Sequence, residues 1–141
     1  MTAAVNVPAG ALRRLAFHEA AHAVAAVVLG VEVAWCDLEA DGPGSGGTLV
    51  REVDPHTDAV IALAGYEQSG GRLTCPPSTH DTRAALALVG EAGVEVARRA
   101  AWQLLAAHRA AVAAVAAALL VHGRLSGGQV WALVRAVEGG R

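Results

Sequence analysis

Ala11, Leu15, His18, His22, Ala25 and Leu29 recur at alternating spacings of four and three, which marks one face of a helix. Gly30 is placed to end that helix. Val31 to Leu38 alternates loosely and predicts a strand, Gly42 to Gly47 a turn, and Thr48 to Val53 a returning strand that completes a hairpin. Pro55 opens a second helix, which runs through Val60, Ile61, Leu63 and Ala64 to about Gln68. Ser69 to Thr79 carries Gly70, Gly71, Pro76 and Pro77 and reads as a loop. From His80 to Val137 the pattern is helical nearly throughout, with breaks expected near Gly90 to Gly93 and at Gly123. Ser126 is placed to cap a short last helix containing Val130, Leu133, Val134 and Val137. The stretch Ala110 to Val121 is apolar all round, as a central core helix or an oligomer contact would be, and Trp102 and Trp131 read as core anchors. Together these elements predict one mostly α (α+β) domain over residues 1–141, compact and helical, with one small β-hairpin.

Composition narrows the function classes. With 54% hydrophobic and 17% charged residues among 141, the chain can build a core and is not a disordered segment. A formal charge of -2 gives no reason to expect a nucleic-acid partner. All 11 basic residues are Arg, so the phosphate-gripping Lys of a P-loop is missing. The apolar run from Ala110 to Val121 falls short of the ~20 residues a membrane span needs. Arg13 and Arg14 are followed by His18 and Glu19 and not by an apolar signal core, so a cytoplasmic location is expected. Cys36 and Cys75 form neither a metal-type pair nor a disulfide framework. Cys75 is either a thiolate near a metal or an incidental loop cysteine.

The chemistry concentrates in His18-Glu19-Ala20-Ala21-His22, an H-E-x-x-H on the first predicted helix. Four residues turn a helix by ~400°, so both imidazoles project from one face, one turn apart, as a shared Zn²⁺ requires. Glu19, offset by ~100°, can reach a water beside the metal without being a ligand, and act as its general base. The pair stands on the apolar stripe, where a plain core helix carries Leu or Val. Burying unpartnered polar groups there costs roughly 1–3 kcal/mol each. The alternative is a pair of satisfied core histidines. A catalytic zinc needs a third protein ligand, for which Asp54, His56, Asp58, Glu67, His80 and Asp81 are all candidates by type.

Phe17 to Gly30 resembles the zinc-binding helix of the FtsH family of ATP-dependent zinc metallopeptidases. The similarity continues in order over roughly residues 12 to 135. It takes in the hairpin, then Ile61-Ala62-Leu63-Ala64-Gly65-Tyr66-Glu67, then a loop leading to Ser78-Thr79-His80-Asp81-Thr82-Arg83-Ala84-Ala85. At the end, Leu104 to Arg109 and Leu119-Leu120 to Leu125-Ser126-Gly127 are similar to the terminal helical segment. The resemblance implies Asp81 as third zinc ligand, with His80 as the runner-up. Ser78 to Asp81 also fits a capping box, in which Asp81 only returns to the backbone. Glu67 is then either a partner orienting His18 or His22, or a solvated helix end, and His80 a further group around the ligands.

On this reading the expected activity is that of a soluble zinc metalloendopeptidase without its own ATPase motor, and the expected substrate a peptide or protein. It acts on flexible segments, or on substrates delivered by a separate ATPase or adaptor, and it is a candidate homo-oligomer. The hairpin offers an edge strand to an extended peptide. The competing reading is a catalytically inactive peptidase fold kept as a binding or regulatory module.

Overall fold

The computed structural model describes residues 8–39, 46–70 and 76–139. Among them are five helices and three short strands, in the order α1 (Ala9–Val28), β1 (Val33–Asp37), β2 (Gly47–Val50), α2 (Pro55–Gln68), α3 (Pro76–Ala107), α4 (Arg109–His122), β3 (Arg124–Ser126) and α5 (Gly127–Glu138). The fold is mostly helical with one small sheet. Most of the predicted Gly42–Gly47 turn, the middle of the predicted 69–79 loop and Cys75 lie outside the described residues.

Helix α1 is the axis on which α2, α4 and the sheet pack, while α3 packs chiefly on α2. Ala16, Ala20, Ala21, Ala23, Val24, Ala25 and Ala26 have no accessible surface. A helix whose stems are mostly methyl groups lets neighbouring backbones come close, and α2, α4 and the sheet surround α1 on several sides. Leu63 from α2, Val115 and Leu119 from α4, Leu125 from β3 and Val130 from α5 fill the remaining core.

Asp54 begins α2 by accepting hydrogen bonds from the Thr57 backbone N–H at 3.0 Å and from its hydroxyl at 2.8 Å. That contact holds the Asp54 carboxyl below its ordinary pKa. Helix α5 starts on a complete capping box formed by Ser126 and Gln129.

The expected hairpin is present as β1 and β2, antiparallel, with Trp35 opposite Leu49 and Cys36 opposite Thr48. A third strand was not legible. β3 pairs with the other side of β1, Cys36 opposite Leu125, giving the order β2-β1-β3. Three residues between two helices carry too short a pattern to read as a strand; pairing with β1 creates it. This arrangement leaves β2 at one edge of the sheet.

Two predicted breaks fall where expected, at Gly90 (φ 70°) and Gly123 (φ 75°), both in the left-handed region that glycine enters without steric cost. A further bend of 81° separates α3 from α4 at His108, within Ala-Ala-His-Arg, where no Gly or Pro announces it. The His108 ring is paired with Glu138 near the end of α5, which ties the bend to the last helix. The predicted loop is shorter than expected, because α3 already begins at Pro76. Proline suits the first positions of a helix, whose N–H groups lack partners anyway.

Trp102 and Trp131 are not core anchors: they are 58% and 56% exposed. Arg135 lies over the Trp131 ring, 5.1–5.4 Å being the range of such stacked cations in this fold. Helix α4 is only partly the all-round core helix expected. Ala111, Val112, Val115, Ala116 and Leu119 are buried, whereas Leu120 and Val121 face outward. No single helix among the described residues is long and apolar enough to cross a membrane.

Gly127 sits where α5 leaves the sheet. A Cβ there would lie 1.7 Å from the Val33 carbonyl oxygen, whereas one on Gly128 would meet nothing closer than 3.9 Å. Gly127→Ala is therefore expected to destabilise the fold by roughly 2 kcal/mol or more, through overpacking against backbone. Gly128→Ala is expected to stay within about 0.5 kcal/mol. Urea unfolding of both variants checks this; equal midpoints would mean that α5 does not start against β1.

Candidate metal centre

His18 and His22 project from α1 one turn apart, as their spacing predicts. They are 3% and 8% exposed in a helix whose other buried residues, Glu19 and Leu15 apart, are Ala and Val. Their rings are nearly perpendicular, 85° between planes, and both Nε2 atoms face Asp81 on α3. Asp81 Oδ2 is 2.8 Å from His18 Nε2 and 3.0 Å from His22 Nε2, and the two nitrogens are 3.1 Å apart. Among the described residues, His18, His22 and Asp81 form the one group able to hold a metal ion.

The outer nitrogens determine which way the lone pairs point. His22 Nδ1 is 2.8 Å from the Ile61 carbonyl oxygen, which can only accept, so Nδ1 carries the proton. The neutral ring then offers its Nε2 lone pair to the cluster. His18 Nδ1 is 3.0 Å from the Ser69 hydroxyl at the end of α2, which fixes the second ring. A carboxylate oxygen and two imidazole nitrogens meeting at one point are all satisfied when a proton or a metal ion lies between them.

A metal fits this donor set. Bonds of about 2.0–2.1 Å in a tetrahedral site put ligand atoms roughly 3.3 Å apart, so separations of 2.8–3.1 Å need open by only a few tenths of an ångström. Two imidazoles and one carboxylate, with a fourth position left over, are a combination suited to Zn²⁺.

In protein stripped of metal by a chelator, the proton takes the cation's place. Burial acts against a charged His22. The hydrogen bond and charge of Asp81, with Glu19 and the Ile61 carbonyl, outweigh it and push the pKa up to about 9. Burial would raise Asp81 too, but its hydrogen bonds to His18 and His22 hold it well below the usual carboxylate range.

The other predicted residues are distributed as follows. Glu19 is buried, 3% exposed, and its Oε2 accepts a hydrogen bond from the Thr48 hydroxyl of β2 at 2.8 Å. Thr48 Oγ1 also lies 3.2 Å from the Glu19 carbonyl oxygen, and Cys36 donates to the same oxygen from 3.6 Å. Burial pushes the Cys36 thiol up to about 12, which makes it a packing residue and not a nucleophile.

Glu67 takes neither of its expected places. It is paired with Arg98 of α3 at 2.9 Å, the Arg98 guanidinium lying 5.2 Å from the Tyr66 ring centre, and so joins α2 to α3. Asp54 caps α2. His80 is exposed and does not join the ligand cluster. The capping-box alternative for Asp81 fails, because α3 begins more than a turn earlier, at Pro76. The side chain of Ser78 lies outside what is described.

The ligands and Glu19 open on a cleft of about 510 Å³. One wall is β2, Gly47 to Val50; Asp58, Ile61 and Ala62 of α2 form another, and His80 stands with Asp81. Sequence reasoning assigned no role to Ser69, Thr48, the Ile61 carbonyl or Gly65. Only Gly65 carried a local signal: a glycine inside a helix costs stability and often marks a close approach. A Cβ on Gly65 would lie 2.5 Å from His22 Nε2 and 2.7 Å from His18 Cε1. No family model matches this chain, and no curated protein matches it either.

Two outcomes are expected. Gly65→Ala removes a helix-weakening residue yet drives a methyl group into both imidazoles, so helicity should be kept while zinc affinity falls at least tenfold. Isothermal titration beside circular dichroism checks it, and unchanged affinity would mean that α2 does not pack on the pair.

The second concerns pH. A raised His22 pKa contributes stability that is full below about 6.5 and lost as the pH rises through about 9. A depressed Asp81 pKa contributes stability present above about 3.9 and lost as the pH falls. Chelator-treated protein should thus be most stable between these limits. Zinc binding at pH 7 should release about one proton, read from titrations in buffers of different ionisation enthalpy. No proton release would contradict a protonated His22.

Proposed function

We propose that the chain is a zinc metalloendopeptidase domain of the FtsH-like kind, holding Zn²⁺ on His18, His22 and Asp81 and using Glu19 as general base. The observation that carries this reading is the meeting of His18 Nε2, His22 Nε2 and Asp81 Oδ2 at the wall of an open cleft, with the Glu19 carboxylate on the same cleft. Two core histidines satisfied by protein alone would not require a half-buried aspartate from α3 and a neighbouring buried glutamate.

When bound, zinc supplies a water of lowered pKa and a polarised substrate carbonyl. The protein residues do the rest. Ile61 and Ser69 keep the two rings aimed inward. Glu19, oriented by Thr48, takes a proton from the attacking water and returns it to the departing amine. β2 pairs with β1 on one side only, and its residues Gly47 to Val50 line the cleft. An extended peptide can add there through main-chain hydrogen bonds, with its scissile carbonyl beside the ligands. A flexible peptide, or a segment delivered by a separate ATPase or adaptor, is the substrate this geometry suits.

The test is zinc content and peptide turnover measured together on three proteins. The parent should bind one zinc and cleave. Glu19→Gln should keep the zinc and lose at least about 10²-fold in kcat, and His22→Ala should lose both. Undiminished turnover in Glu19→Gln rejects the mechanism. Stoichiometric zinc with no cleavage across a broad peptide library instead favours the binding-module reading.

A further inference from the structure

Asp58 is a charged group of the cleft for which neither the metal ligands nor the general base accounts. It stands in the first turn of α2 and lines the same cavity as His18, Glu19, His22 and Asp81. It is half-buried, and its carboxylate has no hydrogen-bond or ion-pair partner among the described residues. Its charged neighbours, Glu52 and Asp54, are both acidic; burial first, then these two, raise its pKa. No Arg lines the cleft. Asp58 therefore places a carboxylate in the cavity with no Arg on its walls to balance it.

We propose that Asp58 makes the cleft select peptides carrying Arg or Lys close to the bond that is cut. This inference rests on the peptidase reading and specifies its substrate class. A peptide lying along β2 meets α2 across the cleft, where Ile61 and Ala62 stand beside Asp58. The aliphatic stem of a basic side chain packs on those two residues while its cationic head meets the carboxylate. A carboxylate in a first helical turn also complements the helix dipole, but that role needs no position in the cavity and does not change which peptide binds.

The experiment uses zinc-loaded Glu19→Gln protein, which holds peptide without consuming it. Labelled peptides differing only by Arg, Gln or Glu at one position are titrated by fluorescence anisotropy, the position being scanned along the peptide. At the best position, Arg should bind about fivefold tighter than Gln at low salt, and Glu weakest, with the gap closing as salt rises. Adding Asp58→Asn should bring Arg and Gln within about twofold, and Asp58→Lys should favour Glu. An Arg preference that survives Asp58→Asn overturns the proposal, and so does the absence of any Arg preference or of any binding. The same peptides given to the parent protein separate the two levels. Cleavage without Arg preference leaves the peptidase reading standing and removes this one. Arg-selective binding that depends on Asp58, without cleavage, removes the peptidase and leaves a cleft for basic peptides.

Discussion

Three electron-rich atoms, His18 Nε2, His22 Nε2 and Asp81 Oδ2, lie within 3.1 Å of one another at the wall of the cleft. They are held together by whatever positive charge they share, a proton or a metal ion between them. Three helices contribute to it: α1 supplies both imidazoles, α3 the carboxylate, and α2 the Ile61 carbonyl and, just past its end, the Ser69 hydroxyl that hold the rings. The tertiary arrangement of α1, α2 and α3 is therefore coupled to whatever occupies that point.

Small residues make the convergence possible. Ala20, Ala21 and Ala23 on α1 keep the helix surface thin, and Gly65 on α2 passes within van der Waals distance of both rings. A larger side chain at Gly65 would separate α1 from α2 and pull the outer hydrogen bonds away from the imidazoles. The abundance of alanine, which at first reads only as helix propensity, thus has a second consequence: it lets a polar site be built against a closely packed helical core. The sheet performs the matching task for Glu19, since Thr48 on β2 orients the carboxylate and β2 lines the same cleft.

Much of this was legible in the sequence. The four-residue spacing of His18 and His22 is a local geometric fact of helices, so their common face followed directly. The helix from Pro55 to Gln68 and the breaks at Gly90 and Gly123 were marked by residues with strong backbone preferences of their own. Asp81 could be singled out only by resemblance, because a carboxylate 59 residues beyond His22 is brought to the imidazoles by packing and not by spacing. β3, the bend at His108, the outward-facing Trp102 and Trp131 and the Glu67–Arg98 pair escaped notice for the same reason. Each is decided by what lies opposite in space. Thr48 and Ser69 were hidden by their ordinariness: a strand threonine and a helix-end serine carry no sign that they touch a functional side chain.

The most direct measurement of the central claim is zinc K-edge X-ray absorption on protein loaded with one equivalent of metal. A four-coordinate site is predicted, with two imidazole nitrogens and the remainder oxygen, and with loss of the protein oxygen contribution in Asp81→Ala. A sulfur neighbour, a single imidazole, or metal that stays in solution and never binds would contradict it.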